Sequence, residues 1–411
     1  MKYLVLITVA ILLFFVIPTL VPSHEAREEA ARYDFKPEQI DRGALYAAER
    51  RLINVPSLCL SLGLLLFLVE KARPLANLCS RLMRGRWLPT VLLMGLIYAL
   101  ASELINVPFG LLRLEHMRSW DMTQRSQADW LIDHYKAFVV YGGVEALVLA
   151  CFFSLIRWLP RAWWLVSAVG ATLLGALAAL LLPVVFAPLF NTFEPLHESE
   201  WKGLEPRVRL LLKKAGVQVN DILVVDASRQ SGHTNAYFTG FGPTRRIVLY
   251  DTLLKKHSPE EIESILAHEL GHWQHDHIVK GIALAGLASF VGFYLLYRFL
   301  DWLRGRAPWY LKSAADPAAL PIILLCVTLA EWVTMPAQNV VSRYFERQAD
   351  AVSLELGKQP KAFIDAERKL ALDNISNLTT NAWTRFLYGT HPSTVERIQM
   401  AEDWRNHGST P

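Results

Sequence analysis

Ser258-Pro-Glu-Glu-Ile-Glu-Ser-Ile-Leu-Ala-His-Glu-Leu-Gly-His272 is the stretch on which the reading of the whole chain turns. Serine at the N-cap, Pro259 at the first helical position and Glu261 at the third form a capping box, so a helix starts here and runs through His272 and beyond. Lys255-Lys-His-Ser-Pro-Glu-Glu261 precedes it, so that helix begins in water and not inside an apolar span. His268 and His272 stand four residues apart on one helix face, where two imidazoles can reach one Zn²⁺ ion. Glu269 lies beside that face, placed to take a proton from a water that the metal activates. A capping box leading into His-Glu-x-x-His is rarely an accident of composition.

A catalytic zinc needs a third protein ligand and an open position. His275, His277 and an acidic residue elsewhere are the candidates. The extension that supplies a third histidine in metzincins needs a glycine and a histidine where this chain has His275 and Ile278, so it fails. Glu346-Arg-Gln-Ala-Asp350 fits better. Its two acids share a helical face, so Glu346 can bind the metal while Asp350 holds the second ring nitrogen of a ligand histidine. His275 and His277 then read as polar residues at a membrane boundary.

Outward from this centre the chain is strongly apolar. Of 411 residues 53% are hydrophobic and 19% charged, with a mean hydropathy of +0.24. Soluble domains carry about 25% charged residues. Disorder and a disulfide scaffold are excluded. A net charge of +4, with no basic segment, argues against a nucleic-acid partner. The cysteines (Cys59, Cys79, Cys151, Cys326) are far apart and read as small apolar residues. Seven apolar runs approach the roughly 20 residues that a bilayer-spanning helix needs: 3–22, 52–69, 87–112, 138–158, 163–190, 278–300 and 317–337. The first lacks a small-x-small cleavage site and reads as a retained span. The fourth and fifth are parted only by Leu159 to Ala162, which implies a tight hairpin.

The chain thus divides into five spans with their loops (1–190), a polar stretch with the His-Glu-x-x-His helix (191–277), two spans (278–337) and a C-terminal segment that completes the site (338–411). Two spans separate the polar stretches, so both lie on one face of the membrane. Basic residues are too evenly shared among the short loops to say which face that is. Within 191–277, residues 204–215 repeat at helical spacing and stop at Gly216. Asp221–Asp226 reads as a buried strand, and Ala236–Thr239 with Arg246–Tyr250 as a hairpin around Gly240-Phe-Gly-Pro243.

In these features the chain resembles the type I CAAX prenyl protease family of integral membrane zinc metallopeptidases. The matching signals are Ser231-Gly-His-Thr-Asn-Ala-Tyr-Phe-Thr-Gly240, Arg246-Ile-Val-Leu-Tyr-Asp-Thr-Leu-Leu254, His268 to His272, Asn339-x-x-Ser342-Arg343-x-x-Glu346-x-x-x-Asp350, and His391-Pro392-Ser393 with Arg397. The resemblance implies a mainly α fold in which seven membrane helices enclose a water-filled chamber, with a gluzincin-type peptidase domain containing a small β-sheet. It implies one zinc ion held by His268, His272 and Glu346, with Glu269 as general base. It puts Asn235 and Ala236 on an edge strand that aligns substrate backbone by strand addition. His391 would stabilise the oxyanion with Arg397 supporting that site, and Asp350 and Asn339 would stand behind the ligands.

Glu103 and Asn106 in the third run, Glu145 in the fourth and Glu331 and Asn339 near the seventh are independent hints of a chamber, since ionisable groups at membrane depth face a cavity or a partner. Glu103 and Glu145 are read as facing it. Five runs before the catalytic segment favour the CAAX type over the shorter HtpX-like membrane-protein quality-control proteases. A non-enzymatic zinc-binding transporter would explain the spans but not the capped His-Glu-x-x-His helix. The implied partners are the lipid bilayer and a peptide or protein substrate, prenylated or membrane-embedded. The ending Asn406-His-Gly-Ser-Thr-Pro411 lacks a dilysine retrieval signal, so the expectation is a bacterial homologue in the inner membrane with its catalytic stretches in the cytoplasm.

Overall fold

The computed structural model describes residues 21–240 and 245–408, together with residues 6, 9, 10, 13, 14, 16 and 17. Most of the first apolar run, and the turn of the predicted hairpin at 241–244, lie outside the described residues.

A short helix α1 (His24–Arg32) is capped by Ser23. It leads into α2 (Pro37–Glu70), α3 (Ala72–Leu82), α4 (Trp87–Ser119), α5 (Gln127–Trp158) and α6 (Trp163–Leu181), whose last turn passes into a π-helical segment at Leu182–Phe186. Among the described residues six helices are long and apolar enough to cross a membrane: α2, α4, α5, α6 with its continuation to Leu189, and two that follow the catalytic segment. Five of the expected runs underestimate their helices. The run beginning at 52 belongs to a helix that begins at Pro37, because Pro37 fits the first helical position and the Gln39 carboxamide accepts the Lys36 N–H at 2.9 Å. An apolar run marks what lipid and core cover, and the helix continues into water wherever its ends are capped. The tight hairpin is present, since α5 ends at Trp158 and α6 begins at Trp163.

The first polar stretch folds as a four-stranded sheet against helices. Strands β1 (Phe193–Pro195), β2 (Asp221–Val225), β3 (Ala236–Thr239) and β4 (Arg246–Tyr250) lie in the order β1-β2-β4-β3. The expected hairpin is the antiparallel pair β3–β4. The parallel pairing of β2 with β4, Ile222 opposite Ile247 and Val224 opposite Leu249, was not visible in the sequence. Nor was β1. Helix α7 (Glu205–Lys214) ends just before Gly216, whose φ of +67° is the left-handed conformation that suits glycine there.

After α8 (Asp251–Lys256) comes α9 (Pro259–Gln274), which carries the capping box: Ser258 Oγ accepts the Glu261 N–H and the Glu261 carboxylate accepts the Ser258 N–H. Ile262, Leu266 and Leu270 on its inner face share a core with Ile247 and Leu249 of β4 and Val208 and Leu212 of α7. Asp276 takes a left-handed backbone (φ +52°), which aspartate tolerates, and turns the chain into α10 (His277–Arg306).

Helix α11 (Leu320–Gly357) follows, then α12 (Pro360–Asp373), α13 (Ala382–Tyr388) and α14 (Thr394–His407). The boundary read at 337/338 falls inside α11, a single helix. Its first turns join a core with Met94, Phe153 and Trp163 of the membrane helices. Its last turns run beside α9. The two helices touch at Gly271, where a methyl group would sit 2.7 Å from the Ala349 Cα. Glycine at that place in the His-Glu-x-x-His stretch is what lets α11 come close enough to bring its acids to the histidines.

Candidate metal centre

Helix spacing and this close packing assemble the site. His268 and His272 project from α9 with their Nε2 atoms 3.2 Å apart. Glu346 of α11 completes a triangle, with Oε2 3.2 Å from His268 Nε2 and Oε1 3.5 Å from His272 Nε2. Ligands at 2.0–2.2 Å around a tetrahedral ion stand about 3.3–3.6 Å from one another, so the three side chains are spaced for one metal ion. Among the described residues this is the one such His/Cys/Asp/Glu group. Glu346 Oε2 is buried without a hydrogen-bond partner. A buried carboxylate oxygen left unpaired is costly, and a cation at the centre of the triangle would satisfy it.

Behind His268 stands a charged network. Its Nδ1–H donates to Asp350 Oδ1 at 2.7 Å, and Asp350 is fully buried. Arg397 of α14 grips Asp350 with two bonds, Nε to Oδ2 at 2.9 Å and Nη2 to Oδ1 at 2.5 Å, and reaches Glu367 of α12 through Nη1 at 2.6 Å. Arg397 was expected to support an oxyanion site beside His391. It lines the same cavity as His391, but its guanidinium bonds lie behind His268, where Asp350 and Glu367 offer it two buried carboxylates.

Glu269 is part-buried on the wall of a cavity of about 780 Å³ and accepts the backbone N–H of Phe238. Burial, reinforced by the nearby Glu346 charge and offset by His268, pushes its carboxyl up to about 7. That places it where a group can both take and give a proton near neutrality. Asn235 lines the same cavity, and Ala236 follows it as the first residue of β3. Tyr250 N–H donates to the Asn235 carbonyl, so Asn235 pairs inward with β4. Antiparallel pairing alternates along a strand, so the main-chain groups of Ala236 and Phe238 face away from β4. β3 is the outer strand of the sheet. His391 lines the cavity too, with Nε2 3.4 Å from Glu346 Oε2 and Nδ1 2.8 Å from Thr390 Oγ1.

Other expected residues are placed differently. Asn339 is buried but does not reach the ligands. Its amide donates to the Leu387 carbonyl, tying α11 to α13, because a buried amide must find an acceptor and the last turn of α13 offers a carbonyl. Glu103 pairs with His134 Nε2 at 2.5 Å. Neither it nor Glu145 lines the cavity that reaches the catalytic groups. A partner on the next helix satisfies Glu103 instead. His277 is not a boundary residue exposed to headgroups. It is buried against the site, with Nδ1 2.9 Å from His272 Nδ1. The tertiary neighbours Glu367 and Gln348 carry no signal in the sequence, and the spacing that marks His277 as a candidate ligand does not reveal that it meets His272.

Residues 198–405 match the model of peptidase family M48, and residues 27–192 match one described as CAAX prenyl protease N-terminal, five membrane helices. The chain belongs to peptidase family M48. It is 31% identical over 326 residues to a Bacillus subtilis protein named uncharacterized metalloprotease YhfN, covering 78% of this chain and 75% of that one. It is also 31% identical to CAAX prenyl protease 1 of Saccharomyces cerevisiae, over 66% of this chain and 62% of the relative. The crystal structure of S. mikatae Ste24p superposes with a TM-score of 0.81 at 22% identity, covering 95% of this chain and 93% of that one, which establishes the shared fold. This M48 chain is a multi-pass integral membrane metalloendopeptidase. Its surroundings are the lipid bilayer and its substrates are peptides.

Proposed function

We propose that the metal is zinc and that His268, His272 and Glu346 hold it. Two imidazoles and one carboxylate are a donor set that zinc accepts in catalytic sites, with a fourth position left open. When bound, zinc supplies a Lewis acid that activates water and polarises the scissile carbonyl. The remaining work falls to this chain's own side chains. Glu269 takes the proton of the attacking water and returns it to the leaving amine. The outward carbonyls of Ala236 and Phe238 on β3 accept from an extended substrate, holding its scissile carbonyl beside Glu269. His391, which lines the same cavity as Glu269, donates to the oxygen that becomes negative. Asp350, gripped by Arg397, keeps His268 oriented and its Nε2 free for the metal.

The observation that carries this reading is the convergence of the three spaced donors, with His268 and its neighbour Glu269 both on the wall of one cavity. The test is Glu269→Gln. The variant is expected to keep its fold and bind one zinc per chain while peptide cleavage drops by about 10²–10⁴-fold, the scale of a lost general base. Turnover at the wild-type rate in the variant would overturn the mechanism.

For substrates we infer proteins ending in a prenylated CaaX sequence, from which a C-terminal tripeptide is released. The similarity to proteins named CAAX prenyl protease and the match to the five-helix N-terminal model support this over the HtpX-like reading. We place the protein in a bacterial inner membrane with its catalytic face in the cytoplasm; the similarity to the B. subtilis relative supports a bacterial setting. The Glu269→Gln protein, expressed in its native membrane, should trap such substrates. Capture of only unprenylated or misfolded membrane proteins would move the assignment to quality control.

A further inference from the structure

We propose that His277 is a positioning residue for the metal centre: a His272–His277–Gln348 relay fixes which nitrogen of His272 is left to bind metal. The inference rests on the metal-site reading above and extends it to residues outside the ligand set.

The relay can be followed from its outer end. The Gln348 amide Nε2 donates to Tyr344 Oη at 3.3 Å, so the oxygen of that amide is the atom turned towards His277. Gln348 Oε1 lies 3.1 Å from His277 Nε2 and accepts its proton. A neutral imidazole carries one N–H, so its other nitrogen, Nδ1, is an acceptor. That Nδ1 lies 2.9 Å from His272 Nδ1, which must therefore be the protonated nitrogen of His272. His272 Nε2 is left with its lone pair, and Nε2 is the atom that faces His268 Nε2 and Glu346.

The ring of His277 is held in the plane this requires. It stacks on Phe345 with centroids 4.1 Å apart and an interplanar angle of 10°. Asp276, in its left-handed turn, folds the start of α10 back against α9, which is why a residue five positions after His272 can meet it. Phe345, Gln348 and Tyr344 lie on α11 around Glu346, so the helix that brings the carboxylate also brings the outer end of the relay. His268 reaches the same outcome by a different route, with a carboxylate as its acceptor. Hydrogen-bond partners of ligand histidines fix their tautomer and ring orientation, and losing one typically costs 10–100-fold in metal affinity.

The experiment measures the zinc dissociation constant of the full-length, detergent-solubilised protein by competition with a chromogenic chelator, alongside the thermal midpoint of the metal-free form. His277→Phe keeps the stack on Phe345 and removes both nitrogens. It is expected to bind zinc roughly 10–100-fold more weakly with little change in the metal-free midpoint, which a merely structural role would not produce. Gln348→Met removes the outer acceptor and should weaken binding in the same direction by a smaller factor. Gln348→Glu, which keeps an acceptor facing His277, should retain wild-type affinity or exceed it. Zinc affinity in a folded His277→Phe protein equal to that of wild type would overturn the relay. If that variant does not fold, unchanged affinity in Gln348→Met overturns it instead. A wild-type protein that fails to bind zinc would defeat the metal reading itself, a separate outcome.

Discussion

The two ends of α11 are each tied down by an arginine gripping an aspartate, and the pairs differ in what else the arginine touches. Just before the helix, Asp316 accepts two bonds from Arg73 of α3, Nη1 to Oδ1 at 3.2 Å and Nη2 to Oδ2 at 2.6 Å. Near its other end, Asp350 accepts two from Arg397. Both aspartates are buried. Arg73 spends its remaining Nε on the Tyr310 carbonyl, and Asp316 also accepts the N–H groups of Lys312 and Ala318, so that clamp organises a loop. Arg397 spends its remaining nitrogen on Glu367, and Asp350 spends its oxygen on His268. The same fork-to-carboxylate chemistry therefore fastens the membrane half in one place and orients a metal ligand in the other. Two buried pairs of similar geometry are not equivalent when only one is wired to the reacting centre.

The largest effect is expected from Arg397→Ala. It strands two buried carboxylates, Asp350 and Glu367, and breaking a buried pair by removing one partner costs about 3–5 kcal/mol. It also frees Asp350 from the geometry that orients His268. Both the thermal midpoint and the peptidase rate per folded molecule should fall. An unchanged rate in the folded fraction would mean that the network behind His268 stabilises the fold without orienting the ligand.

Arg73→Ala should separate those two consequences. It strands only Asp316, which keeps its backbone donors, so the loss should be smaller, about 2–4 kcal/mol. Measured well below its lowered melting temperature, the variant should cleave peptide at the wild-type rate. A matching loss of rate would show that the clamp at the start of α11 communicates with the site along the helix, and the contrast between the two ends would collapse.

What could be read from residues alone follows the same division between local and distant. His268, His272, Glu269 and the pair Glu346 and Asp350 were legible because helix geometry fixes their relative positions within one or two turns, and the capping box marks where α9 begins. The membrane helices were legible as apolar runs, but their ends were not. α2 begins at Pro37 and α11 runs on to Gly357 through residues whose polarity is balanced by neighbours distant in sequence. The parallel register of β2 with β4, the placement of Arg397 behind His268 and the meeting of His277 with His272 depend on which elements pack together. A lone histidine next to an apolar run looks the same whether it faces headgroups or another histidine.

Glu367 sharpens the comparison at the smallest scale, because Arg397 serves two carboxylates where Arg73 serves one. Arg397 already gives Asp350 two of its bonds, and burial pushes the Glu367 carboxyl up to about 7 despite the nearby guanidinium. A carboxyl that binds its proton more tightly folded than unfolded contributes stability that is fully present below the unfolded value, near 4.5, and is lost as pH rises through 7. Glu367→Gln removes that dependence while leaving an oxygen for the Arg397 bond. In metal-free protein the variant and the wild type should melt at similar temperatures at pH 5. By pH 8 the variant should be the more stable, by on the order of 1–3 kcal/mol. The opposite trend, with the wild type gaining on the variant as pH rises, would mean that Glu367 is ionised in the folded protein. Arg397 would then be shared evenly between two charged partners, and its grip on Asp350 would be weaker than that of Arg73 on Asp316.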